Sequence, residues 1–239
     1  MKLHKASKRT IALFAAALIL LSSGGVMGVK AVPAVQSQNY DATMVLDTLH
    51  VALVENGQQT AKNDKLLLTA LRDSKLSPGK KYKEEIGAQN TGTADEYVRI
   101  VVRKYWTKNG EKNKELTPDL IHLTYGNGDY NTGAWTLNKA ESTDEMAVYY
   151  CQSKVAAGQP SPLLFDSVSV DASVLSDFTE TTTEVQTESG KKTIYNYEYK
   201  YDGFTINVEA EAQAVQTHNA AQAIKSVWGV DASKTGIKF

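Results

Sequence analysis

The residues able to carry metal or nucleophilic chemistry are few: four histidines (His4, His50, His122 and His218) and one cysteine, Cys151. A helical zinc-protease site needs two His four residues apart with a Glu between, so that both imidazoles meet one ion beside the base. The four His stand in separate segments and no such motif occurs. A single cysteine excludes a disulfide within the chain and a cysteine-based zinc site built by one chain. Cys151 closes the apolar run MAVYYC, the setting of a buried small hydrophobe rather than an activated thiol. A dyad of Cys151 with His50 or His122 is the one conceivable cysteine nucleophile. No G-x-S-x-G elbow is present, and a Ser/His/Asp set that meets only in space stays open. Residues 126–133 (GNGDYNTG) offer Asp129 and two Asn, too little charge for calcium, so turns explain them better. No catalytic residue, metal site or cofactor is expected.

The elements that would position such residues read as strands. Residues 43–54 (TMVLDTLHVALV) alternate, with Leu49, Val51 and Leu53 on one face, and Glu55-Asn56-Gly57 supplies a turn. Residues 97–106 (YVRIVVRKYW) place Val98, Ile100, Val102 and Trp106 on one face and Arg99, Arg103 and Tyr105 on the other. Shorter strands are expected at 81–88, 120–125, 146–152 and 163–170. Residues 192–201 and 204–216 form a long pair, joined by the two-residue hairpin signal Asp202-Gly203. The first carries Tyr195, Tyr197, Tyr199 and Tyr201 on one face. That ladder is either a platform for a carbohydrate or protein partner, or a packed strand face. The second carries Ile206, Val208, Ala210, Ala212 and Ala214 on one face. Residues 64–72 read as helix or buried strand, and 218–228 as a helix with Thr217 as N-cap and Gly229 just past its end. The Thr/Glu-rich stretch 177–190 reads as an exposed loop or frayed strand ends, since it has little apolar surface to bury. The fold expected is mostly β: a jelly-roll-like β-sandwich with a short C-terminal helix.

The first 34 residues have a different character. Lys2, Lys5, Lys8 and Arg9 precede an apolar run at 11–21, and small residues follow, with Ala31 and Ala34 as possible cleavage points. That order describes a secretory signal, and the run falls short of the roughly 20 residues that span a bilayer. The membrane is then a transient partner, met only through the signal. Of 26 basic and 27 acidic residues, five basic and no acidic ones fall within 1–34. The remainder carries 21 against 27, a net charge of about −6, which argues against nucleic acid as a partner.

Pro78-Gly79-Lys80, Ile86, Asn90-Thr91-Gly92 and Tyr97-Val98-Arg99 occur in that order. Pro162-Leu163-Leu164-Phe165, residues 206–216 (INVEAEAQAVQ) and Trp228 follow. Over roughly residues 40–230 this order resembles the TasA/camelysin (CalY) family of exported Firmicutes proteins processed by a SipW-type signal peptidase. The resemblance implies a jelly roll, and a biofilm-matrix or surface-fibre subunit, or an accessory to one, secreted to the extracellular matrix or cell surface. Its partner would be itself or a related fibre subunit. In such fibres the N-terminal segment of one subunit adds as a strand to the next, so residues 35–47 would be the donor, with Tyr40, Met44 and Leu46 filling pockets. The domains would then be a signal at 1–34, an extended segment at 35–47 and a β domain at 48–239. The alternative is a monomeric extracellular binding module for polysaccharide or a host surface, using the Tyr195–Tyr201 face.

Overall fold

The computed structural model describes residues 48–60, 67–72, 74–187 and 190–239. The strands are β1 (Val51–Glu55), β2 (Gln58–Gln59), β3 (Tyr82–Asn90), β4 (Glu96–Lys108), β5 (Glu111–Asn113) and β6 (Ile121–Thr124). They continue with β7 (Trp135–Leu137), β8 (Met146–Cys151), β9 (Phe165–Val170), β10 (Phe178–Thr187), β11 (Gly190–Tyr199) and β12 (Phe204–Gln216). One α-helix follows, α1 (Ala220–Trp228).

Two antiparallel sheets face each other. One runs β2-β1-β3-β9-β6, the other β12-β4-β8-β7 with β5 beside the far end of β4. The core between them includes the inward rows expected from alternation, Leu53, Val98–Ile100–Val102–Trp106 and Val208–Ala210, joined by Ile86, Ala88, Phe165 and Val168. Among the described residues this is a jelly-roll-like β-sandwich, mostly β, with one short α-helix.

β4 is buried on both faces. Its outward residues Tyr97 and Val101 join Val148, Tyr150 and Val215 in a second cluster, which Ala220, Ile224 and Trp228 of α1 close from outside together with Ala232 and Ile237. The helix ends as expected, with Gly229 left-handed (φ 73°) and its N–H bonded to Lys225 O. The N-cap is not Thr217 but Asn219, itself left-handed (φ 52°) and without a side-chain cap bond. Among the described residues no helix is long and apolar enough to cross a membrane.

Three expectations change. β12 does not pair with β11; it runs beside β4 through thirteen register pairs, from Phe204↔Lys108 to Gln216↔Glu96. Its Ile/Val/Ala row needs the core, and β4 supplies a strand of matching length. The Asp202-Gly203 turn does form, with Phe204 N–H bonded to Tyr201 O at 3.0 Å, but it redirects the chain rather than registering two strands. Residues 178–187 are exposed as expected, but they form a full ten-residue strand rather than a loop or a frayed strand end, paired with β11 in ten unbroken steps. Of residues 64–72, Leu67 and Leu68 are buried and Thr69–Leu71 form a single 3-10 turn, while 64–66 lie outside the described residues.

Candidate assembly surface

Residues 48–50 are fastened before β1 begins. Thr93 N–H donates to Thr48 O (2.9 Å) and Thr91 N–H to His50 O (2.7 Å), while Thr48 N–H donates to Thr93 Oγ1 (2.9 Å). The Asn90-Thr91-Gly92 turn that grips them is itself fixed by Asn90, whose amide donates to Ala94 O and Val155 O and accepts from Gly92 N–H. Gly92 is required for space: a Cβ there would collide with Thr48 O and lie 2.9 Å from His50 N. His50 N–H also donates to Glu96 Oε1 (2.6 Å). Glu96 is fully buried, its other oxygen has no partner among the described residues, and burial pushes its pKa up. Tyr40, Met44 and Leu46, expected as donor-strand residues, lie outside the described residues, before this clamp in sequence.

Among the described residues the first sheet has two edge strands, the two-residue β2 and the longer β6. Asp171 N–H donates to Leu120 O (2.8 Å), which sets the ladder parity: residues 120, 122 and 124 bond β9, and the main chain of Ile121 and Leu123 faces away from it. Lys104 Nζ reaches across from β4 to Ile121 O (2.7 Å). Burial lowers the pKa of this lysine, and Asp119 and Asp129 partly offset that. Beside the edge lies a groove of about 490 Å³ with Ile121, Leu123, Leu137, Tyr149 and Phe165 among its apolar lining. An extended chain laid along β6 would satisfy main-chain groups and press alternate side chains toward that lining.

A second open surface is the β10–β11 hairpin. Every residue of β10 and residues 191–198 of β11 are exposed. One face carries Phe178, Tyr195, Tyr197 and Tyr199; Tyr195 is 57% and Tyr197 50% exposed. Phe178 meets Tyr197 and Tyr199 edge-on, with ring centroids 5.3 and 5.6 Å apart. The fourth tyrosine leaves the ladder: Tyr201 lies beyond β11, half-buried against the core and 5.5 Å from the Tyr199 ring.

Three buried carboxyls were missed by reading motifs alone. Besides Glu96, Glu55 of β1 and Glu84 of β3 hydrogen-bond to each other inside the first sheet, with Glu84 fully enclosed. Thr69 N–H (2.8 Å) and Oγ1–H (2.6 Å) donate to Glu55; Asn56 Nδ2–H (3.1 Å) and Leu68 N–H (3.4 Å) donate to Glu84. Burial, then the bond with Glu55, pushes Glu84 up to about 8. Burial also pushes Glu55 up, but the bonds from Glu84 and Thr69 outweigh it and leave its pKa lowered. A usable signal existed: Glu55, Glu84 and Glu96 share strand parity with Leu53, Ile86 and Val98, so each stands on an inward row.

Cys151 lies in the core and burial raises its thiol pKa, the reverse of what a nucleophile needs. His122 lies on β6, 3.4 Å from Asp171. Among the described residues no group of three or more His, Cys, Asp or Glu could hold a metal ion. Compared with family models, curated proteins and solved structures, the chain matches none.

Proposed function

We propose that this chain is an exported structural protein, a subunit of an extracellular biofilm-matrix or surface fibre or an accessory to one, of the TasA/camelysin kind. After loss of a leader at 1–34, residues 35–47 add as a strand to an open sheet edge of the next copy or of a related subunit. The observation that carries the proposal is the open β6 edge beside an apolar groove, in a domain whose own N-terminal residues are clamped at 48–50. The clamp fixes where a donor arm leaves, and the edge offers somewhere for it to arrive. Tyr40, Met44 and Leu46 all fall on even positions, so in a strand they would share one face and enter one groove. The acidic balance of residues 35–239 fits a partner other than nucleic acid.

Negative-stain electron microscopy of the purified protein at high concentration tests this. Regular fibres that disappear when residues 35–47 are deleted support it; fibres that survive the deletion overturn it.

The exposed tyrosines favour one second reading, a monomeric module that binds polysaccharide or a host surface. A sugar platform needs rings presented flat, whereas Phe178 meets its tyrosine neighbours edge-on, leaving Tyr195 as the most open ring. Binding on a glycan array that is lost in Tyr197→Ala and Tyr199→Ala would favour this reading; no binding would remove it.

A further inference from the structure

We infer that the hairpin β10–β11 is a self-association element, pairing the free edge of β11 antiparallel with β11 of a second copy of this chain. The inference does not rest on the donor-strand proposal, because it uses no residue of 35–47.

The hairpin's own bonds fix which edge is free. Lys200 N–H donates to Asp177 O (2.9 Å), so residues 198, 196, 194 and 192 bond β10, while 199, 197, 195 and 193 turn their main chain outward. Tyr199 agrees with this parity. Its N–H donates to Asp202 Oδ2 (3.4 Å) and its C=O accepts from Asp202 N–H (3.0 Å), both outside the hairpin ladder. The Asp202 turn thus caps Tyr199. Residues 193, 195 and 197 keep outward main chain on an edge that no described strand pairs.

Native edges are usually guarded by charged side chains, a proline, a bulge or very short length, and of these β11 has only its charges, Lys191, Lys192 and Glu198. Residues 178–199 contain no proline, and the ten register pairs run without a bulge. A two-stranded ribbon alone is marginal in water, and this one exposes Ile194 and Val185 on one face and tyrosines on the other.

Charge chooses the partner and the direction. β11 is basic at its start (Lys191, Lys192) and acidic near its end (Glu198). Two antiparallel copies with Tyr195 opposite Tyr195 place Lys192 opposite Glu198 twice; parallel copies would stack lysine on lysine. β10 offers no such match to itself, since its only charges are Glu180 and Glu184. The β11 pairing also sets the exposed tyrosines of both copies side by side, in a four-stranded sheet with two-fold symmetry.

The test is sedimentation velocity of the purified protein from micromolar to hundreds of micromolar, with and without residues 35–47. A monomer–dimer equilibrium is expected without residues 35–47, and with them the same dimer is expected at the low-concentration end, before the donor arm extends it into fibres. Lys192→Glu alone and Glu198→Lys alone each place like charges across the two-fold axis, and each should weaken dimerisation about tenfold or more. An equimolar mixture of these two variants should dimerise again, because the heterodimer has opposite charges at both pairs. Tyr195→Pro removes an outward N–H without touching the bonds to β10, and should be monomeric. A native protein that stays monomeric, single variants that dimerise like the native protein, a mixture that does not recover, or growth past two copies in the protein lacking residues 35–47 would each overturn the inference. Loss of fibres on deleting 35–47 with the dimer retained would separate this element from the donor arm.

Discussion

Replacing Glu84 by glutamine isolates the proton held between the two buried carboxyls. In the folded chain Glu84 keeps its proton up to about 8, against an ordinary value of 4.5. Its contribution to stability is therefore full below the unfolded value and is lost as pH rises through about 8. Glu55, whose folded pKa is lowered, works the other way: its contribution is present above its unfolded value and is lost only as pH falls through the lowered one. Of this pair, Glu84 is the one whose titration changes the balance between pH 6 and 8, and the cost is roughly 2 kcal/mol at about 1.4 kcal/mol per pH unit. For a domain of this size that is a fall of about 4–8 °C in melting temperature. Glutamine is neutral at every pH and can still donate to Glu55, so Glu84→Gln should lack this decline and melt above the native protein at pH 8 and beyond. Melting followed by circular dichroism at pH 6, 7, 8 and 9 measures both curves. Every other titrating group is common to the two proteins, so the difference between the slopes belongs to position 84. Parallel curves would refute the shared proton, and so would a variant less stable than native by a constant amount.

Three further outcomes are expected. Gly92→Ala should cost more than about 2 kcal/mol or free residues 48–50 from the turn, because the new methyl meets backbone rather than a movable side chain; lower melting temperature and faster proteolysis before β1 would register it, and native-like values would exclude the clamp. Ile224→Ala should cost about 2–5 kcal/mol in denaturant unfolding, since the side chain is fully buried between α1 and the outer face of β4 and β8; a cost under about 1 kcal/mol would mean the helix is not docked there. Cys151 should resist a thiol reagent such as DTNB in the native protein and react promptly in denaturant; fast native labelling would contradict its burial.

What could be read from the sequence follows from how local its physical cause is. The rows Val98–Ile100–Val102–Trp106 and Ile206–Val208–Ala210 were legible because alternation records burial residue by residue, and both rows face the core. The partner of each strand was not. Asp202-Gly203 is a strong local hairpin signal, yet the pairing was decided by which strand could bury the apolar row of β12, and β4 lies about a hundred residues away. Once β12 was taken, β11 needed another partner, and the Thr-rich stretch before it supplied one through main-chain bonds that demand no apolar side chains. The buried carboxyls were hidden for a related reason. Glutamate reads as a solvent residue by type, and only its parity with Leu53, Ile86 or Val98 places it inside. Such a residue is tolerated there when donors converge from elsewhere in the chain: Thr69 on Glu55, Asn56 and Leu68 on Glu84, His50 on Glu96. A charged residue on an inward row is therefore itself a sign, readable in advance, that distant backbone must come to meet it. For Glu96 that backbone is the chain just after the proposed donor arm. The clamp around His50 and the buried carboxyl beneath it are thus two views of one requirement, that residues 48–50 stay fixed where the chain enters the first sheet.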